Sequence, residues 1–157
     1  MKIKDLTTFL YKASKSGYAT GQEKEWIKEK DGSTTIIYKD GDWEMNDNYF
    51  GGERFGGKLT IFYKKKPVWI MVYYGFIDPL VKQSVKTIYK FLRTALSNPP
   101  KDFPLRGQKE YEEIDYRYEN IWDGEVVQYS GTEKIFFKDS LIYTAFYSGG
   151  WVDRRSG

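Results

Sequence analysis

Apolar residues recur at two different periods along the chain, and the change of period separates predicted helices from predicted strands. Apolar positions over residues 6–13 fall at helical spacing, which predicts a first helix ending at Gly17. A longer apolar stripe predicts a second helix over residues 79–97, which the prolines in 98–100 stop. The segments that follow each helix are short, β-branched and aromatic, so the chain reads as helix, strands, helix, strands.

Eight strands are predicted, four after each helix. The first four cover residues 33–39, 42–50, 58–63 and 68–74, and the second four cover 114–122, 125–130, 134–138 and 141–148. The turns between them are predicted at Asp-Gly pairs, glycine-rich stretches and a lysine run, namely 40–41, 51–57, 64–67, 123–124, 130–132 and 139–140.

The two halves match in the same order, which predicts one domain over residues 1–157 with internal repeats at approximately 4–78 and 79–150. The match includes Glu53 and Glu133, each two residues after a glycine. We therefore predict an α+β fold of two helix-plus-four-strand (α-β4) repeats, with antiparallel sheets, helices packed on one face and a pseudo-two-fold relation. The alternative is that two aromatic hairpins resemble each other by chance.

Composition excludes several kinds of chemistry. The 157 residues include no Cys and no His, so the chain has no thiolate nucleophile, imidazole base or Cys/His zinc site. We expect no metal and no cofactor. A net charge of +3 gives no general field for nucleic acid, although a local basic patch stays possible. No apolar run reaches membrane-span length, which favours a cytoplasmic protein, and abundant Lys, Glu and Tyr are typical of an archaeal or thermophilic source.

Four motifs stand out in combination: Tyr49-x-Gly51-Gly52-Glu53-x-Phe55-x-Gly57, Pro67-Val68-Trp69-x-Met71-x-Tyr73-Tyr74-Gly75, Pro104-x-Arg106-Gly107 and Tyr147-x-Gly149-Gly150. Together they resemble an uncharacterised prokaryotic domain family whose members stand alone or follow a helix-turn-helix DNA-binding domain. The resemblance covers nearly the whole chain and implies a sensing or partner-binding module without an established activity. Because the first predicted helix begins almost at Met1, we expect no helix-turn-helix and no direct reading of DNA.

The seam between the predicted repeats is the expected binding surface for an unknown small molecule or protein. Its candidate residues are two carboxylates, one guanidinium and three aromatic rings: Glu53, Trp69, Tyr74, Arg106, Tyr129 and Glu133. An Arg can clamp a carboxylate or phosphate, and aromatic rings can stack on a base, sugar or aromatic effector. The alternatives are a structural Arg bridging the halves, ordinary ring packing, and carboxylates bonded to turn amides or neighbouring cations.

Two other functions compete with a non-catalytic binding or regulatory module. A carboxylate-dependent hydrolase would use Glu53 and Glu133 as a pair, as glycosidases do. A nucleic-acid-associated protein would use the basic face of the second helix, formed by Lys82, Lys86, Lys90 and Arg93, although such a stripe is usually a solvated face.

Overall fold

The computed structural model describes residues 2–16 and 24–152, which include two helices. The first helix, α1, is Ile3–Lys15, and the predicted helix end at Gly17 lies outside the described residues. The second helix, α2, is Val85–Leu96, so it starts later than predicted because the Ser84 side chain accepts a hydrogen bond from the Thr87 amide. Within the described residues, neither helix is long and apolar enough to cross a membrane.

Nine strands make up the rest of the fold. They are β1 (Glu25–Lys28), β2 (Thr34–Asp40), β3 (Trp43–Gly51), β4 (Phe55–Tyr63), β5 (Lys66–Ile77), β6 (Glu110–Glu113), β7 (Tyr116–Glu125), β8 (Gln128–Phe137) and β9 (Ser140–Trp151). All of them join one antiparallel sheet in the order β1-β2-β3-β4-β5-β9-β8-β7-β6.

The predicted α+β architecture of two α-β4 repeats with separate sheets, helices on one face and a pseudo-two-fold relation is wrong. The structure is mostly a single nine-stranded sheet with two helices. The sheets merge because β5 and β9, the last strands of the two halves, pair with each other from Trp69↔Trp151 to Ile77↔Tyr143. A fifth strand, β1, also precedes the four strands predicted for the first half.

Several predicted turns are also wrong, because the glycines that suggested them lie inside strands. Gly57 lies within β4 and Gly131 within β8, each directly opposite a tyrosine of the next strand. A Cβ added at Gly131 would stand 2.2 Å from the Tyr147 ring, and one at Gly57 would stand 2.6 Å from the Tyr73 hydroxyl. Both glycines therefore make room for a tyrosine that crosses the neighbouring strand.

The two hairpins that meet at the centre of the sheet share several details. The register shifts between Ile61 and Phe62 in one hairpin and between Ile135 and Phe136 in the other. Counted back from these shifts, Gly131 matches Gly57 and Glu133 matches Leu59, so Glu53 and Glu133 do not occupy matching positions. Internal repeats at about 4–78 and 79–150 stay a prediction.

The core consists of two apolar clusters. Residues of α1 pack with Ile61, Trp69 and Met71 of the sheet, and residues of α2 pack with Ile135 and Tyr143. Trp69 is fully buried, and its indole N–H donates to the Val126 carbonyl at 2.7 Å. The loop after α2 adds to the first cluster, and this places it against the middle of the sheet.

Candidate functional site

The loop between α2 and β6 carries Arg106 to a buried carboxylate in the middle of the sheet. The Arg106 guanidinium donates to Glu133 Oε1 at 2.7 Å, and Glu133 has no exposed surface. Glu133 also accepts hydrogen bonds from the hydroxyls of Tyr118 (2.6 Å, at Oε2) and Tyr143 (3.2 Å, at Oε1). Arg106 adopts a left-handed backbone conformation with φ 70°, which a non-glycine residue rarely takes without a structural or functional reason.

A second set of hydrogen bonds fixes the loop to the sheet. The Asn120 side-chain amide donates to the Gly107 carbonyl at 2.9 Å, and the Gly107 amide donates to the Tyr118 hydroxyl at 2.9 Å. The Tyr147 hydroxyl, which crosses Gly131, donates to Asn120 Oδ1 at 2.5 Å. Because these groups are buried and bonded to each other, the backbone next to Arg106 is held in one position.

On the first half of the sheet, Asp47 stands in a similar setting. The Tyr73 hydroxyl crosses Gly57 and donates to Asp47 Oδ1 at 2.6 Å. The positive charges of Arg106 and Lys24 both favour the ionised form of the Asp47 carboxyl. Strand β3 therefore contributes a carboxylate, and the loop after α2 a guanidinium, to one region above the sheet.

A cavity of about 120 Å³ lies between the sheet, α1 and the loop after α2. Three charged residues line it, Lys24, Asp47 and Arg106. The remaining lining is mostly apolar and includes Leu10, Met45, Leu59, Met71 and Leu105. An apolar recess with a few convergent polar groups is the usual form of a small-molecule site.

Burial perturbs the ionisation of the groups around this cavity. Desolvation raises the pKa of Asp47, although the Tyr73 hydrogen bond and the charges of Arg106 and Lys24 oppose the rise. Desolvation lowers the pKa of Lys24, opposed by the charge of Asp47. Burial disfavours the charged form of Arg106, but the attraction of Glu133 outweighs it and raises the guanidinium pKa, so Arg106 is a permanent cation.

The tyrosines around Glu133 stay protonated and act as donors. Burial, followed by the negative charge of Glu133, raises the pKa of both Tyr118 and Tyr143 well above the usual value. A phenol that keeps its proton can donate to a carboxylate at any physiological pH. Glu133 thus receives three hydrogen bonds and serves as a fixed counter-ion for Arg106.

The raised pKa of Asp47 gives a prediction about stability and pH. The folded state binds the Asp47 proton more tightly than the unfolded chain, so this residue makes stability fall as pH rises from the ordinary carboxyl pKa towards its raised folded pKa. We expect Asp47→Asn to remove that fall and to be more stable than wild type at pH 7. Urea unfolding of both proteins between pH 3 and 8 measures the difference; curves that stay parallel over this range contradict the prediction.

Glu53 lies in the turn between β3 and β4. Its carboxylate accepts hydrogen bonds from the Ile77 amide at 2.8 Å and from the Tyr89 hydroxyl at 2.5 Å. These bonds tie the turn to the end of β5 and to α2. Glu53 and Glu133 share no hydrogen-bond partner among the described residues, and Glu133 is fully buried. Their pairing for hydrolysis stays a prediction.

Trp69 and Tyr129, two predicted binding residues, are part of the core. Their rings stack with centroids 5.7 Å apart, and both are buried. The Tyr129 hydroxyl has no hydrogen-bond partner among the described residues. Tyr129 lies in the same cross-strand row as Gly149 and Met71, but it is not among the residues that line the cavity.

Tyr74 points to the opposite face of the sheet from Tyr73. It is 46 % exposed and lines a shallow groove of about 690 Å³. One cross-strand row on this open face contains the exposed apolar residues Phe50, Tyr74, Phe146 and Ile121. The structure therefore separates Tyr74 from the buried cluster around Arg106 and Glu133.

The predicted basic face is only partly helical. Lys86, Lys90 and Arg93 lie on the exposed side of α2, whereas Lys82 precedes the helix. All four are exposed. Over residues 2–16 and 24–152, no cluster of three or more acidic side chains has the arrangement of a metal site.

Asp47 and Tyr73 are the functional candidates that sequence reasoning missed. The signal was present in the alternation of β3, where Trp43, Met45 and Asp47 face the same side. A carboxylate at an inward position of an amphipathic strand must find partners when it is buried. The same pattern marks Asn120 in β7 and Glu133 in β8.

Comparison with known proteins identifies a family for this chain. The family model described as a domain of unknown function, DUF5680, matches residues 47–152. No curated protein matches the chain. No solved structure matches it either. The matched range includes every residue of the buried cluster around Arg106, and leaves α1 and Lys24 outside.

Proposed function

The chain belongs to the DUF5680 family, whose function is unknown, and we propose that it is a non-catalytic module that binds a small molecule in the 120 Å³ cavity. One observation carries the proposal. Arg106 lines the cavity and is held there by the buried Glu133, yet this is its one side-chain hydrogen bond among the described residues. A guanidinium has five N–H donors, so donors remain for a ligand.

A purely structural Arg106 is the competing explanation, and the geometry of Glu133 argues against it. Glu133 is fully buried and accepts three hydrogen bonds, whereas the Arg106 side chain that it pairs with stays 18 % exposed. Buried ion pairs add little net stability compared with apolar replacements. Holding one guanidinium at the edge of a cavity is what a binding site needs.

The regulatory and partner-binding forms of the proposal rest on the prokaryotic family that the sequence resembles, with members fused behind helix-turn-helix domains. In such a fusion, ligand binding to the module would affect the attached helix-turn-helix domain. Nucleic-acid association through Lys82, Lys86, Lys90 and Arg93 stays a prediction without further support.

Filling the cavity tests the proposal. We expect Leu59→Phe to place extra atoms in the cavity and to weaken binding at least about tenfold without unfolding the protein. The measurement is a ¹H–¹⁵N NMR titration with a mixture of small polar fragments, followed at the amides of Leu59, Met71 and Leu105. The matched control is Leu80→Phe, because Leu80 is 88 % exposed and outside the cavity.

Two results would contradict the proposed function. One is a wild-type protein whose cavity amides do not shift with any fragment at millimolar concentration. The other is a Leu59→Phe variant that binds the same fragments as tightly as wild type. The thermal unfolding temperature of each variant shows whether the fold has been kept.

A further inference from the structure

We infer that the ligand of the cavity is a compact zwitterion, with its carboxylate on Arg106 and its ammonium group on Asp47. The inference rests on the proposed function and names the ligand class for the same cavity. It follows from four features of the site: the balance of its charges, the free donors of Arg106, the free acceptor capacity of Asp47 and the size of the space.

The charges around the cavity cancel. Arg106 is paired with Glu133, and the other two charged residues that line the cavity, Lys24 and Asp47, have opposite signs. Lys24 and Asp47 together add no net charge when both are ionised or both are neutral. A ligand with a net charge would leave one charge uncompensated in a desolvated site, which is unfavourable. The ligand as a whole is therefore neutral.

Arg106 supplies the position for the ligand's acidic end. Its one hydrogen bond within the described residues goes to Glu133 through a single terminal nitrogen, Nη2. The other N–H groups form the planar fork that matches a carboxylate, and a carboxylate accepts from such a fork with two parallel bonds. The fixed loop and the left-handed backbone at Arg106 hold this fork in place before the ligand arrives.

Asp47 supplies the position for the basic end. The Tyr73 hydroxyl occupies one site on Oδ1, and a carboxylate offers about four acceptor sites in all. An ammonium group next to Asp47 would replace the interactions with water that the carboxylate loses on burial. Hydrogen bonds between charged groups are about twice as strong as neutral ones, so an amine is preferred over a hydroxyl here.

The size and walls of the cavity limit the rest of the ligand. An apolar cavity of about 150 Å³ holds a benzene molecule with its six heavy atoms, so about 120 Å³ encloses roughly five, and a slightly larger ligand extends past the partly exposed Arg106 side chain. The carboxylate and ammonium groups use four of the ligand's heavy atoms. The remaining walls are Met45, Leu59 and Met71, which favour a short aliphatic group over a polar one. A small α-amino acid has this composition.

A matched set of three probes tests the ligand class: 2-aminobutyrate, butyrate and 2-aminobutane. The first has both charges, and each of the others lacks one while keeping four carbons. We expect 2-aminobutyrate to bind the full chain at least about tenfold more tightly than either analogue, because each lost charge-assisted hydrogen bond is worth 1.5–3 kcal/mol or about tenfold and more. Dissociation constants come from ¹H–¹⁵N NMR titrations at constant ionic strength.

Variants separate the role of Asp47 from a general effect on the fold. We expect Asp47→Asn to weaken 2-aminobutyrate about tenfold and not to weaken butyrate, because the variant removes a negative charge from the cavity lining. Glu44→Gln on the same strand is the control, since Glu44 pairs with Lys39 at 3.2 Å away from the cavity. It should leave all three affinities unchanged.

Each outcome bears on the inference in a defined way. An analogue that binds as tightly as 2-aminobutyrate overturns the zwitterion assignment and leaves the proposed cavity function standing. Failure of all three probes also overturns the assignment. The proposed function fails as well only if the wider fragment mixture also leaves the cavity amides unshifted, which keeps the two failures distinguishable.

Discussion

Glu133→Ala lowers the free energy of unfolding by about 3–5 kcal/mol, the largest effect we expect from a single substitution in this chain. The variant leaves Arg106 without its counter-ion and leaves the hydroxyls of Tyr118 and Tyr143 without their acceptor. Much of the loss is the cost of a charge kept away from water with no partner. Urea unfolding at pH 7, followed by far-UV circular dichroism, measures it.

Two comparisons make the Glu133 prediction specific. Glu44→Ala removes an exposed ion pair with Lys39 and should cost no more than about 1 kcal/mol. The double variant Arg106→Met with Glu133→Leu removes both charges and should recover a large part of the loss, because apolar replacement of a buried pair is often neutral. A Glu133→Ala loss no greater than that of Glu44→Ala contradicts this account of the network.

The second large effect concerns Gly131, beneath the Tyr147 ring. A methyl group at this position would meet ring atoms at 2.2 Å, so Tyr147 must move. We expect Gly131→Ala to destabilise the fold by about 2–3 kcal/mol, since overpacking forces strained side chains and the Tyr147–Asn120 hydrogen bond is lost. Thermal and urea unfolding provide the measurement.

The control for Gly131 is another glycine substitution. A methyl group added at Gly52 has no atom within 4 Å, so Gly52→Ala should change stability by less than about 0.5 kcal/mol. Combining Gly131→Ala with Tyr147→Leu removes the obstructing ring, and the double variant should lose less than the sum of the single losses. Additive losses would show that Tyr147 is not what limits this position.

Much of the local structure could be predicted from the sequence, because the chain's periodicity is regular. The apolar spacing identifies the four buried residues of α1 and, in α2, Ile88, Leu92 and Ala95, whereas Val85 is exposed. Strands β2 and β3 lie within one residue of their predicted bounds. These elements depend on contacts within a few residues of each other. A single sequence contains that information in its pattern of apolar and polar positions.

The errors have a different physical origin. Gly57 and Gly131 were assigned to turns by their local preference, but each is needed for a tyrosine of the next strand. The single sheet depends on β5 pairing with β9, about 70 residues away in sequence. Neither relation leaves a short-range signal, so the sequence alone supported two separate sheets.

The candidate site was predicted in part. Arg106 and Glu133 were both selected, and the structure joins them at 2.7 Å. Glu53 was selected with Glu133 by an apparent sequence match, but the strand register makes Glu133 equivalent to Leu59 and not to Glu53. Asp47 was missed because no motif marks it. Its inward position in an alternating strand was the available clue.

A crystal structure of the protein soaked with 2-aminobutyrate tests the central claim most directly. The account predicts electron density for the ligand in the cavity, with its carboxylate on the Arg106 guanidinium, its ammonium on Asp47, and the Arg106–Glu133 ion pair unchanged. A cavity that holds only water, or one that Arg106 itself fills by turning away from Glu133, would contradict it.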